Sequence, residues 1–368
     1  MKIVIIGGHL SPSLAVIDKL PKDTQILFIG RKFALEGDKS LSAEYKIVTE
    51  RKIPFIGITT GRLQRKFTRY TIPSLFKIPY GFFQALSILR KFKPDVVLGF
   101  GGYVSLPVIL AAFFLKIPSV IHEQTLEAGS ANKFLSRFVS KICISWESSF
   151  AFFPIDKTIL TGNPLRKEIL ESLRFNRSKS TLPTIYVTGG STGSHSINSL
   201  VEGVLRQLLE KFNIIHQVGD AKEYGDFESL LSLRDTFPEN LQKRYAIKKF
   251  IDIDKIGPVF QNSDLIIGRS GINTITELMF FQKPALLIPL PFSQSNEQMK
   301  NAIFLKSKGL AEVYSQNELN SLRFLQVVTK MFNNINTYRL RFNSNNLLVQ
   351  DASQKIIEVV TNAAKKKK

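Results

Sequence analysis

Cysteine is nearly absent: Cys143 is the only one in 368 residues, and histidine occurs four times. A single thiol excludes an internal disulfide and fits a reducing compartment. So few histidines and cysteines leave little for a structural zinc site, and no acidic cluster of metal-ligand type accompanies them, so no cofactor and no obligatory metal ion is expected. Acids are scarce, 30 Asp and Glu against 50 Lys and Arg for a formal net charge of +20, and none at all lies between Glu50 and Asp95. A long apolar run is missing too. The best candidate, YVSLPVILAAFFLKIPSVI, is interrupted by Pro107, Lys116 and Pro118, so it reads as a buried helix followed by a buried strand. The first apolar run lacks a basic flank and breaks at Gly7, which is not the pattern of a secretory signal, and a cytoplasmic location is expected. After Gly8 the next glycine is Gly30, so the spaced glycines of a dinucleotide fingerprint are lacking.

What is present is a folded α/β composition, 44% hydrophobic, in a chain long enough for two domains. Short β-rich runs alternate with helical patterns: KIVII, QILFI, DVVLGF, PSVIHE and KICIS in the first half, TIYVT, NIIHQV, YAIKKF, DLIIG and PALLIPL in the second. Each half is expected to be a doubly wound parallel sheet, with the junction near Gly162, Asn163 and Pro164. Ligands of such sheets bind beyond the carboxyl ends of the strands. The loops at those positions carry glycine, hydroxyl, amide or carboxylate residues, among them GGHLSPS, GFGGYVS, HEQTLEAGS, GGSTGSHS and GRSGINTITE. They point to one cleft served by both halves. Three of them, at Gly8 to Pro12, Gly190 to Ser194 and Ser270 to Thr274, are expected to cradle a diphosphate through backbone N–H groups at helix starts, with Ser11 capping the first helix and Pro12 opening it.

His9 then has two readings, a turn or cap residue, or a proton acceptor beside a bound anion. Glu277, one turn after Thr274, is suited to accept hydrogen bonds from a ribose. GGSTG also satisfies the G-x-S-x-G nucleophile elbow, but neither His195 nor His216 is placed to complete a triad. The acid-free stretch interleaves Arg62, Arg65, Lys66, Arg69, Lys77, Arg90, Lys91 and Lys93 with Phe67, Tyr70, Leu75, Phe76, Phe82 and Phe83. That mixture suits an anionic membrane surface better than a nucleic-acid duplex, or else an amphipathic helix whose basic face is merely solvated.

FGGYVSLP, HEQTLEAGSANKFL, GNPLR, GGSTGSHSIN, HQVGD, FIDI and RSGINTITEL, in that order, resemble the MurG-type transferases, which add N-acetylglucosamine to the lipid-linked muramoyl peptide precursor of peptidoglycan. The resemblance implies a GT-B fold: two Rossmann-like domains facing across a cleft, an acceptor domain at 1–162 rejoined by a C-terminal helix at about 345–364, and a donor domain at 163–344. It implies UDP-N-acetylglucosamine as donor, with Ile251 at uracil, Glu277 at the ribose, and Ser191, Asn273 and Thr274 at the diphosphate. Arg166, Ile272, Glu297, Gln298 and Thr125 join the donor contacts. A polyprenyl diphosphate acceptor is implied at Gly7, Gly8, Gly101, Gly102 and Tyr103, with His9 as base and Glu123 as its rival or orienting partner. A peripheral enzyme on the cytoplasmic face of the plasma membrane, held through residues 61–93 and not a nucleic-acid binder, is implied as well. Three positions depart from the family pattern: the first glycine loop is shorter than GGTGGH, Thr125 replaces the asparagine of HEQN, and Glu297 replaces the first of two glutamines. A diverged enzyme with another UDP-sugar or a glycolipid acceptor, and a non-catalytic nucleotide-sugar binder, are the alternatives.

Overall fold

The computed structural model describes residues 1–33, 40–61, 71–172, 180–190, 192–220, 223–252, 254–293, 296–341 and 351–365. It divides into two compact units, Met1–Arg166 with Val349–Lys368, and Lys167–Leu348.

The first unit is a seven-stranded parallel sheet built from β1 (Lys2–Ile6), β2 (Gln25–Gly30), β3 (Phe55–Gly57), β4 (Val96–Gly99), β5 (Ser119–Glu123), β6 (Lys141–Ile144) and β7 (Thr158–Leu160). The spatial order is β3-β2-β1-β4-β5-β6-β7. The order reverses at β1, whose Ile3 sits between Ile26 of β2 and Val96 of β4. Its helices are α1 (Leu10–Ile17), α2 (Ala43–Glu50), α3 (Thr71–Phe92), α4 (Ser105–Phe114) and α5 (Ser130–Leu135). Parallel strands covered on both faces must be apolar at every position. Alternate residues of one strand accordingly enter two different cores: Val4 and Ile6 pack with Val97, Ile121, Val108 and Leu89, whereas Ile3 and Ile5 pack with Phe28, Leu98, Val120 and Leu14.

The second unit begins with α6 (Lys167–Ser172) and holds six parallel strands: β8 (Thr184–Thr188), β9 (Asn213–Gln217), β10 (Tyr245–Lys248), β11 (Leu265–Gly268), β12 (Ala285–Leu287) and β13 (Ala311–Val313), in the order β10-β9-β8-β11-β12-β13. Around them run α7 (His195–Glu202), α8 (Leu205–Leu209), α9 (Asp226–Asp235), α10 (Glu239–Gln242), α11 (Ile256–Asn262), α12 (Ile272–Phe281), α13 (Glu297–Ser307), α14 (Ser321–Asn333) and α15 (Ile335–Arg341). The last helix, α16 (Ala352–Lys365), returns to the first unit and lays Ile356, Ile357, Val360 and Ala363 against the Ile3 and Ile5 face of its sheet.

All ten strands expected from the sequence are present. Three more, β3, β7 and β13, are three-residue edge strands, too short to show an apolar run. The interrupted apolar stretch forms α4 and β5 as expected, although Phe113 and Phe114 at the end of α4 are 50% and 70% exposed. Among the described residues no helix is long and apolar enough to cross a membrane. Residues 62–70 of the basic aromatic stretch, Arg62, Arg65, Lys66, Arg69, Phe67 and Tyr70 included, lie outside the described residues. The first helix corrects one expectation. It starts at Leu10 with His9 at the N-cap, so Ser11 is not the cap and Pro12 is its third residue. Proline is tolerated throughout a first turn, because none of those N–H groups has a helical partner, and so it does not fix the start.

Because Ile356 is fully buried, Ile356→Ala is expected to destabilise the first unit by about 2–5 kcal/mol. Trp146, the only tryptophan, is buried in that unit and reports the transition by fluorescence in denaturant. An unshifted midpoint would show that α16 does not support this core.

Candidate active site

In the first unit two glycine loops meet backbone to backbone. Gly8 has φ +148° and both Gly101 and Gly102 have φ +76°, conformations that favour glycine. A Cβ on Gly8 would lie 2.2 Å from the Gly101 carbonyl oxygen, and one on Gly102 would lie 3.1 Å from the Gly8 Cα. The crossing brings Gly7, Gly8 and His9 after β1 beside Gly101, Gly102 and Tyr103 after β4. Tyr103 rests its ring on the adjoining core.

His9 caps α1 without a side-chain hydrogen bond. Its Nδ1 is enclosed and has no protein partner, and burial pulls its pKa down to about 4. The imidazole is therefore neutral near pH 7 and keeps a lone pair, as a general base requires. Behind it lies His122, fully enclosed, its ring 5.6 Å from that of Phe100. His122 Nε2 is 3.1 Å from the Gly162 carbonyl, which can only accept, so Nε2 carries the proton and the buried Nδ1 the lone pair. Burial pulls its pKa down to about 4 as well, opposed by the hydrogen bond to the Gly162 carbonyl and helped by the neighbouring His9.

Several expected residues have different tasks. Both oxygens of the buried Glu123 carboxylate are already engaged: Oε1 accepts from the Thr125 N–H and hydroxyl, and Oε2 from the Gly129 N–H and the Asn132 amide. Four donors on a carboxylate 3% exposed hold the HEQTLEAG loop in shape. Thr125 spends its N–H and its hydroxyl proton inside the same loop. The Gly7 N–H is bound to the Ile29 carbonyl at 2.8 Å and the Gly8 N–H to Glu44 Oε1 at 3.1 Å, so neither is left for an acceptor phosphate. Sequence reasoning missed Glu44, which enters from α2.

In the second unit the loops after β8, β10, β11 and β12 are tied together by amide side chains. Gln217 donates to the Gly190 carbonyl at 3.0 Å and accepts from the Ile251 N–H at 3.1 Å, so the Ile251 N–H is not available to a base. Gly190 has φ +89° and open space where a Cβ would stand; the neighbouring Ser191 lies outside the described residues. The start of α12 presents Ile272, Asn273 and Thr274 after the uncapped Gly271, again with open space at its Cβ position. Glu277 is buried one turn on. Gln298 accepts from the Leu290 N–H, and its backbone carbonyl receives the Ser270 hydroxyl, which fixes the loop that begins α13; Glu297 is half-buried beside it. Arg166 is the last residue of the first unit and is half-buried.

Arg269 is the second residue that sequence reasoning missed. Its guanidinium donates to the Ile288 and Pro289 carbonyls, to the Ser194 and Ser196 hydroxyls, and to Gln316 Oε1, at 2.7–3.2 Å. None of these is a carboxylate. An arginine paired only with neutral acceptors keeps its positive charge beside the α7 start, where a diphosphate would benefit from it. Of the two histidines weighed for a nucleophile elbow, His195 pairs with Asp226 at 2.7 Å and His216 is enclosed between Tyr245 and Asn198, while Ser191 itself lies outside the described residues. Among the described residues no group of three or more His, Cys, Asp or Glu side chains is arranged to hold a metal ion.

Comparison with known proteins bears on both units. Residues 6–144 match the glycosyltransferase family 28 N-terminal domain, and residues 184–359 match the family 28 C-terminal domain. A UDP-N-acetylglucosamine–N-acetylmuramyl-(pentapeptide) pyrophosphoryl-undecaprenol N-acetylglucosamine transferase of Clostridium botulinum (strain 657 / Type Ba4) is 34% identical, with 92% of each chain covered. Its counterpart in Lachnospira eligens is 32% identical over 99% of each chain. Among solved structures, MurG of Acinetobacter baumannii aligns with a TM-score of 0.74 and 26% identity over 98% of this chain and 100% of that one. With both domain models matched in order and curated relatives aligned over nearly the whole length, the chain belongs to the MurG family of glycosyltransferases, built on the GT-B fold.

Proposed function

We propose that this protein transfers N-acetylglucosamine from UDP-N-acetylglucosamine to the 4-hydroxyl of lipid-linked N-acetylmuramoyl pentapeptide, with inversion, and that His9 is the base. The supporting observation is the half-buried imidazole, its Nδ1 enclosed and its pKa pulled down by burial, at the crossing of Gly8 and Gly101. The acceptor hydroxyl attacks the anomeric carbon from the face opposite UDP and its proton passes to His9. A free-enzyme pKa near 4 makes a weak base, but an anionic lipid diphosphate bound nearby favours the imidazolium and raises that value toward the working pH. The bond to the UDP oxygen breaks as the new one forms. Arg269 and the N–H groups opening α12 and α7 meet the charge that develops on the leaving diphosphate. UDP-N-acetylglucosamine is a substrate here, and no step draws on a cofactor.

The same reading puts the protein on the cytoplasmic face of the membrane as a peripheral enzyme. It rests on aromatic rings of α3, α4 and α5 that pack against one another in the first unit. Phe82 touches Phe83 and Phe114, Phe114 touches Phe113, and Phe138 joins Phe113 to Phe134. Phe83, Phe113, Phe114 and Phe134 are each at least 46% exposed. A contiguous apolar patch of this kind on a strongly basic chain suits the headgroup region of an anionic bilayer. Lys77 lies on α3, Lys116 follows α4, and Lys133 and Arg137 flank Phe134. The contact thus extends beyond residues 61–93 to α4 and α5.

His9→Ala is expected to lower turnover at least ~100-fold at an unchanged KM for UDP-N-acetylglucosamine. Parental turnover would remove His9 from the base role. In the parent enzyme, protonation of His9 removes the base, so kcat/KM is expected to fall as pH drops toward about 4, and a limb at 6.5 instead would contradict an enclosed imidazole. The triple variant Phe83→Ser, Phe113→Ser, Phe114→Ser is expected to bind anionic liposomes about 10- to 150-fold more weakly for each ring that enters the interface, since burying such a ring is worth roughly 1.5–3 kcal/mol. Activity on a detergent-soluble short-chain acceptor stays intact, and equal liposome binding by variant and parent would sink the membrane contact. UDP-glucose and UDP-galactose assayed beside the expected donor decide the sugar, and selective transfer from either would replace it.

A further inference from the structure

We propose that Glu44 is the positioning residue of the base: its carboxylate is a built-in anion that holds the Gly7–Gly8 turn, and with it His9, against the crossing loop at Gly101. The proposal rests on the reading of His9 as base.

Glu44 lies in the first turn of α2 and is 8% exposed. Ser42 sets that turn, its Oγ accepting from the Tyr45 N–H and donating to the Arg31 carbonyl, so the helix is pinned to the end of β2. One Glu44 oxygen accepts from the Gly8 N–H at 3.1 Å and the other from the Arg31 N–H at 2.9 Å. The carboxylate therefore bridges the carboxyl ends of two neighbouring strands, β1 and β2. Glycine at the end of each strand makes room for it: a Cβ on Gly7 would lie 1.6 Å from Oε1, and one on Gly30 would lie 2.5 Å from Oε2. Burial pushes the carboxyl up from its ordinary range, while the Arg31 and Gly8 N–H groups pull it back.

His9 makes no cap bond, and its Nδ1 has no protein partner, so no hydrogen bond from that nitrogen aims the ring and its place is set by the backbone that carries it. That backbone is fixed by the Gly7 N–H on Ile29 and by the Gly8 N–H on Glu44. A loop of this composition ordinarily offers its N–H groups to a ligand phosphate. Here a side chain of the protein takes that place, so the turn is organised before any acceptor arrives. This also accounts for how a glycine loop shorter than its family pattern keeps its shape.

The test is a double-mutant cycle on the full chain, assayed with UDP-N-acetylglucosamine and a short-chain lipid-linked acceptor. Glu44→Gln puts an amide N–H against one of the two N–H donors, and is expected to lower kcat about 10- to 100-fold with the KM for UDP-N-acetylglucosamine unchanged. Added to His9→Ala, the same substitution is expected to cost nothing further, because its effect passes through His9. Formate is expected to restore part of the activity of Glu44→Ala by filling the vacated anion position. Parental kcat in Glu44→Gln overturns the proposal, and so does full additivity with His9→Ala. Trp146 fluorescence in denaturant checks that the variants fold, and Glu44→Asp, which keeps the charge but not the reach to both N–H groups, is expected to fall between parent and Glu44→Gln. Parental turnover in His9→Ala would instead refute the base reading. In that case the Gly8 and Arg31 amide protons still decide the anchoring, since they exchange faster in Glu44→Gln if the carboxylate holds the turn and at the parental rate if it does not.

Discussion

A parallel strand in the interior of a doubly covered sheet has no wet face, and the chemistry of this protein is arranged around that constraint. Every side chain of Ile3–Ile6 is buried, odd positions in one core and even positions in the other. Polar groups can gather only where the strands end, and there the backbone N–H groups of the next helix are unpaired as well. The sites after β1, β4 and β5 in one unit and after β8, β10, β11 and β12 in the other follow from this. The sheets supply rigidity, and the loops supply nearly all the donors, acceptors and charge.

The fold was legible because the constraint writes itself into the sequence as short β-branched runs. Only strands of three residues at sheet edges escaped, having too few positions to show a pattern. The site was legible in outline, since glycines after strands mark close approach, and the crossing of Gly8 with Gly101 and Gly102 is what those glycines serve. Pairing was not legible. Glu123 ends a strand next to a histidine, the place a base would occupy, yet four donors converge on it from residues up to nine positions away. Glu44 gave no local signal at all. Its meaning lies in Gly7 and Gly30, at the ends of two strands that only the folded sheet brings side by side.

Arg269 shows the converse. It sits in a stretch conspicuous on inspection, but an arginine after a strand has many uses. Its role depends on hydroxyls at Ser194 and Ser196 and an amide at Gln316, none of them nearby in sequence. Charge in the two halves is handled in opposite ways. The first half fills its glycine turn with a carboxylate of its own and keeps a neutral imidazole beside it, whereas the second keeps a cation among neutral partners. A base must lose no lone pair to a neighbour, and a leaving diphosphate must find positive charge already fixed in place.

The return of α16 to the first sheet has a consequence for biosynthesis. Ile356, Ile357, Val360 and Ala363 close the face formed by Ile3, Ile5 and Phe28, so the strands made first wait for a helix made after the whole second unit. During translation the second unit can complete its core while the first still exposes one apolar face. Until α16 leaves the ribosome, that open face is a natural surface for a chaperone to guard.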